Sequence, residues 1–201
     1  MPQLPFNVCQ PGLVLLAGLA GGLMPGASQA ASNMDVNLTA NIVNSTCEIS
    51  LNDGGNIYLP TVMRSWFYNS DNSNRLTPTD DEAGTPFTIH VSNCNGSSET
   101  GTSVQKLHFS FAPKNGFWNN QNQVFKNDAA TGAAENVGVV IFSAKDRANV
   151  LNTDGSSNVI FNVTGSGNYL TDYEFYARYQ NIGAVTGGSV ISNVLVDVRY
   201  E

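Results

Sequence analysis

Catalysis needs side chains that hold a proton, a metal or a leaving group, and this chain carries few of them. Its 201 residues include 2 His, 3 Cys, 9 Lys+Arg and 16 Asp+Glu, for a net charge of −7. His90 sits in PFTIHVSN and His108 in LHFSF, each opposite the apolar residues of its segment, the place of a solvent-facing strand histidine. No GxSxG elbow, HExxH, phosphate loop or complete EF-hand loop occurs. Asn52-Asp53-Gly54-Gly55 and Asn152-Thr153-Asp154-Gly155 lack the spaced carboxylates and closing Glu of a calcium loop, so they read as turns. A hydrolase gathers an acid, a base and a nucleophile in one place. No such group is visible, and the expectation is no enzyme, no cofactor and no metal. The basic residues are scattered, which argues against a nucleic-acid partner, since that needs a positive stripe.

The cysteines divide by position. Residues Gly12–Met24 form an apolar run of 13, followed by Pro25, Gly26 and the small residues of Ser28-Gln29-Ala30. A membrane-spanning helix needs about 20 residues, so this is the pattern of a secretory signal peptide (1–30) cleaved after Ala30, with no membrane insertion. No Lys or Arg precedes the run. Cys9 is removed with it, leaving Cys47 and Cys94. Two cysteines in an exported protein are most simply one disulfide. The loop spans 47 positions, for which the chain-entropy model gives roughly 4 kcal/mol. A metal site is the competing reading, and neither a CxxC nor a neighbouring His supports it.

The elements that would position these residues are strands. Met34, Val36, Leu38, Ala40 and Ile42 alternate with Asp35, Asn37, Thr39 and Asn41, which predicts a strand with one apolar face. Residues 86–93, 107–111, 137–143, 159–163 and 173–179 repeat the pattern, and Val190, Val194, Val196, Val198 and Tyr200 share a face in the last segment. The turn at 152–155 is expected to close a hairpin between 137–143 and 159–163. Short alternating strands between turns predict an all-β sandwich of immunoglobulin type. Residues 62–85 and 113–135 are expected as long loops, the second with room for a short helical turn. Trp66, Phe67, Tyr68, Phe117 and Trp118 lie in them. One function class is therefore a self-complete secreted sandwich that binds a carbohydrate or protein through these loops.

The apolar alternation is cleanest at the two ends of the exported chain, and there the sequence resembles a known family. MDVNLTANIVNSTC (34–47), PFTIHVSNC (86–94), GVVIFSAKDRANVL (138–151), the Phe175-x-Ala177-x-Tyr179 pattern, Gly187 and the penultimate Tyr200 occur in the order seen in chaperone–usher pilins of the type 1 fimbrial group. The resemblance covers nearly all of residues 31–201. It implies an incomplete immunoglobulin-like sandwich lacking its final strand, completed by a strand from a chaperone or a neighbouring subunit. Residues 31–43 would be an amino-terminal donor-strand extension and 44–201 the pilin domain. The donor residues would be Met34, Val36, Leu38, Ala40 and Ile42, with Ala40 standing where the family often has Gly. The groove and chaperone-facing last strand would present Val190, Val194, Val196, Val198 and Tyr200. Implied partners are a periplasmic pilus chaperone, the outer-membrane usher and neighbouring pilin subunits in a linear polymer. The implied route is export through the periplasm to a cell-surface fimbria. The short extension before Cys47 resembles minor or adaptor subunits.

Overall fold

The computed structural model describes residues 35–40, 47–94, 106–118, 120–163 and 169–200. The leader, Met34, Ile42 and the boundary at Val43 lie outside them. Along the chain come β1 (Asp35–Ala40), β2 (Cys47–Leu51), β3 (Asn56–Tyr58), β4 (Thr85–Cys94), β5 (Lys106–Pro113), β6 (Phe117–Trp118), β7 (Gln121–Phe125), β8 (Val137–Ser143), β9 (Ala148–Asn149), β10 (Val159–Asn162), β11 (Asp172–Asn181) and β12 (Asn193–Tyr200). Two 3₁₀ turns, at Asn52–Gly55 and Arg64–Phe67, complete the described elements.

The strands form two sheets. One runs β10-β5-β12-β1-β3; the other runs β2-β4-β11-β8-β7-β6, with β9 beside β8. The all-β sandwich expected from alternation is what forms. On β5 the alternation becomes burial: Leu107, Phe109 and Phe111 are inside, while His108 and Ser110 stay on the outer face. Across the core Phe175 of β11 meets the rings of Phe109 and Phe111, with centroids 5.5 and 5.1 Å away. Such tilted and edge-on contacts suit the ring quadrupoles.

β8 is buried at every position because both its faces are covered. Val137, Val139 and Ile141 join the main core, while Val140 and Phe142 pack with Val124 in a second cluster that Trp118, Tyr176 and Ile182 cover. Gly138 permits this layer. A Cβ there would stand 2.2 Å from the Phe125 carbonyl oxygen.

Outside β11 the 62–85 segment is held by buried polar side chains. Arg178 donates to the Thr77 and Asp80 carbonyls at 2.7 and 2.6 Å, Gln180 to Leu76 O at 2.9 Å, and Asn181 to Asn74 Oδ1 at 2.7 Å. The guanidinium lies 5.2 Å over the Phe142 ring. Burial pulls its pKa down to about 10, so it stays cationic at neutral pH. The Leu76, Thr77 and Asp80 carbonyls of the segment thus find their partners in side chains of β11.

Two loop expectations are corrected. Residues 113–135 hold the β6–β7 hairpin, with Asn120 at φ 60, and no helical turn among the described residues. The 152–155 turn exists, with Gly155 at φ 84 and Asp154 Oδ1 accepting from the Ser156 amide at 2.9 Å. It does not close a hairpin, because β8 and β10 belong to different sheets. β10 instead pairs with β5, Val159 opposite Phe109, so the chain crosses the sandwich here.

Candidate strand-docking groove

An immunoglobulin-type sandwich orders one sheet A-B-E-D and the other C-F-G. In chain order, β2, β4, β11 and β8 supply A, B, E and D, and β5 and β12 supply C and F. The place of G, beside β12, is taken by β1. This strand comes from the other end of the described chain and runs parallel to β12, with Leu38 opposite Val194 and Ala40 opposite Val196. On its far side β1 pairs antiparallel with β3, Val36 opposite Ile57. The slot between β12 and β3 is one strand wide, and β1 occupies it within the same chain.

The slot's wall follows from the alternation on β12. Val194, Val196 and Val198 are buried on the core face, Leu195 and Asp197 are half-buried on the other, and Arg199 is exposed. Val190 is also buried but precedes β12 in an irregular segment, so it is part of the core without pairing to β1. Tyr200 is half-buried and pairs with Leu107 of β5. Of the expected donor residues, Val36, Leu38 and Ala40 fall in described β1 and stand in the rows of Ile57, Val194 and Val196. Sequence reasoning missed β3, whose three residues, NIY, are too few to show a period.

Cys47 and Cys94 are bonded, and they are register partners on β2 and β4. The bridge thus staples two neighbouring strands of the sheet opposite the slot. The loop aromatics serve packing. Phe67 is buried, and Trp66 and Phe117 pack against the core. The Tyr68 hydroxyl accepts from the Val185 amide at 2.8 Å and donates to Gly183 O at 3.3 Å. Trp118 covers the second cluster, with the Lys126 ammonium 5.6 Å above its ring. Each histidine stands on an outer face with a side-chain partner: His90 Nδ1 lies 2.6 Å from Asp172 Oδ1, and His108 Nδ1 lies 2.9 Å from Asn158 Oδ1. Tyr173 is core, its phenol pushed up to about 12 by burial and donating to Tyr169 O at 3.0 Å. No helix among the described residues is long and apolar enough to cross a membrane.

Known proteins share this chain's pattern. The profile of the family described as "Fimbrial protein" matches residues 36–201. The "Uncharacterized fimbrial-like protein YadK" of Escherichia coli (strain K12) is 37% identical over 183 residues, 87% of this chain and 89% of the relative. Among solved structures, the P pilus rod subunit PapA is similar at a TM-score of 0.46 and 16% identity, over 80% of this chain and 96% of PapA. The CupB6 tip adhesin from Pseudomonas aeruginosa is similar at a TM-score of 0.38 and 11% identity, over 83% of this chain and 41% of the adhesin. A family profile running from β1 to the end of the sequence, and a relative matched over nearly all of both chains, establish what kind of protein this is. The chain belongs to the fimbrial protein family, as a structural subunit and not an enzyme.

Proposed function

We propose that this subunit joins a surface fimbria by donor-strand exchange, with residues 34–42 acting in a neighbour's slot and its own slot receiving another strand. The observation that carries the reading is the occupant of the G place, a strand from the amino-terminal side lying parallel to β12. Parallel pairing is slightly less stable per residue than antiparallel pairing. A neighbour's strand arriving antiparallel would therefore displace β1 downhill, by strand addition in which backbone bonds give affinity and alternate side chains give fit. Fully burying each large apolar donor side chain contributes roughly 1.5–3 kcal/mol, enough in sum for slow dissociation. Before assembly a periplasmic chaperone would cover the slot, and the outer-membrane usher would be the site of exchange on the route to the cell surface. The short extension before Cys47 favours a minor or adaptor position.

A second reading has one observation in its favour. β1 already seats beside β12 in the same chain, as a self-complete binding module would have it. Deleting residues 31–42 separates the two. A subunit that exchanges strands is recovered as a folded chaperone complex and is absent from fibres. A self-complete sandwich loses a core strand, and no folded complex is recovered.

A further inference from the structure

Three turns, at 69–72, 113–116 and 152–155, share one plan, an Asx residue third and a residue in the left-handed region fourth. Asp71 precedes Asn72 at φ 64, Asn115 precedes Gly116 at φ 80, and Asp154 precedes Gly155 at φ 84. In the first and last the Asx side chain is pinned to its own turn. Asp71 Oδ1 accepts from the Ser73 amide at 2.9 Å and the Ser73 hydroxyl at 2.6 Å. Asp154 Oδ1 accepts from the Ser156 amide at 2.9 Å and the Ser156 hydroxyl at 2.6 Å. The next amide is occupied too, Asn72 N donating to Asn69 O at 3.0 Å and Gly155 N to Asn152 O at 2.9 Å.

The turn at 113–116 has neither restraint. Phe117 stands where the other two turns have Ser, and neither the Asn115 side chain nor the Gly116 amide makes such a bond to any described residue. Residues 114–116 are exposed. A Cβ on Gly116 would meet nothing within 4 Å, whereas one on Gly155 would stand 2.9 Å from the Phe117 ring. Open space and a residue without a side chain let the Gly116 nitrogen approach the Asn115 side-chain carbon. The electrophiles differ as well. An Asn amide expels neutral ammonia. Asp71 and Asp154 are held below the ordinary carboxylate range, first by the serine hydroxyl and then by the serine amide, and an ionised carboxylate resists attack.

We infer that Asn115 is a site of spontaneous deamidation in the folded subunit. The Gly116 nitrogen loses its proton to solvent and bonds to Asn115 Cγ; the Cγ–Nδ2 bond breaks, and ammonia leaves with a proton returned from solvent. Water then opens the succinimide at either carbonyl, leaving aspartate or isoaspartate at position 115. Either product adds a negative charge to the net −7 of the chain. Isoaspartate also lengthens the turn backbone beside Lys114, whose amide donates to Asn193 O at 2.9 Å at the start of β12. The site stands whether or not the subunit exchanges strands.

The test is incubation of the disulfide-bonded exported chain in heavy-oxygen water at mildly alkaline pH, folded and guanidinium-unfolded, followed by peptide mapping by mass. Each succinimide that opens takes up one solvent oxygen, so residues 115 and 154 are timed in the same sample. Folding is expected to slow the reaction at Asp154 about tenfold or more and to leave Asn115 within severalfold of its unfolded rate. Asn115→Gln, which must close a larger ring, is expected to lose the labelled product at that position. The inference is overturned if folding slows Asn115 as much as Asp154, or if the folded chain keeps its Asn115 amide while the unfolded chain loses it.

Discussion

Toward β5, β12 is paired antiparallel from Val194 to Tyr200, and its inner residues meet Phe109 and Phe111 in a core that reaches across to Phe175. Toward β1, the same strand is paired parallel, and only over Asn193–Val196. Both flanks present the same valines, so the difference lies in what the neighbour is tied to. β5 is held by β10 on its other edge and by an aromatic cluster. β1 is held by the three residues of β3. One flank is a fixed part of the sandwich, and the other is, on the proposal above, a seat whose occupant exchanges.

The largest expected effect belongs to the fixed flank. Phe175→Ala removes a buried ring in contact with those of Phe87, Phe109, Phe111 and Phe161. Large-to-Ala changes of this kind cost about 3–5 kcal/mol, and urea unfolding should show most of the stability gone. Next is the staple on the opposite sheet. Replacing Cys47 and Cys94 by Ser should cost about 2–5 kcal/mol, and mass analysis of the unreduced parent should find no alkylatable thiol at either position. Leu38→Arg probes the seat. It should abolish entry into fibres while chaperone-bound subunit is still recovered, because an unpaired charge in an apolar row costs several kcal/mol wherever that row is buried. Equal loss of both products would erase the distinction between the flanks.

Smaller effects sharpen the boundary. Tyr200→Ala trims a half-buried ring at the end of β12 and should cost about 1 kcal/mol, read as weaker co-purification with the chaperone. The pH response should miss both flanks. Asp80 is held below the ordinary carboxylate range, chiefly by the Thr77 amide and then its hydroxyl, with the Arg178 charge assisting. A depressed carboxylate contributes stability above its unfolded pKa and loses it as pH falls through the folded value. Acidification below the usual Asp range should therefore lower the protection factor of the Thr77 amide, measured against its intrinsic exchange rate at the same pH, and leave β5 and β12 protected.

How much of this was legible depends on whether the signal was local. β8 occupies the run VGVVIFS without a residue to spare, and β4, β5 and β11 match their alternating segments to within two residues, because period-two burial is written into the strand itself. Asn-Thr-Asp-Gly marks its turn for the same reason, through the Asp154–Ser156 bonds. What it could not mark is that the strands around it enter different sheets, since sheet membership is set by distant partners. β3, β6 and β9 have two or three residues and no period at all. Arg178 and Gln180 lie on the face of β11 that alternation assigns to solvent, and they are buried only because the 62–85 segment folds over them. At the slot, residues of the β12 wall and of its occupant β1 could be named from the sequence. The parallel sense of β1 and its clasp by β3 could not, because pairing sense has no residue code.

The proposed exchange at this seat is tested most directly by asking which chain residue 38 touches in a finished fibre. Fibres would be grown from unlabelled copies of this subunit with a photo-crosslinking side chain at position 38, mixed with heavy-isotope copies of the same chain and of the other fibre subunits. The expected result is that position 38 crosslinks to heavy peptides from a neighbour's last strand, equivalent to residues 190–200 when the neighbour is this chain. Crosslinks found only within unlabelled chains, to their own residues 190–200, would contradict exchange and leave β1 a permanent strand of its own sheet.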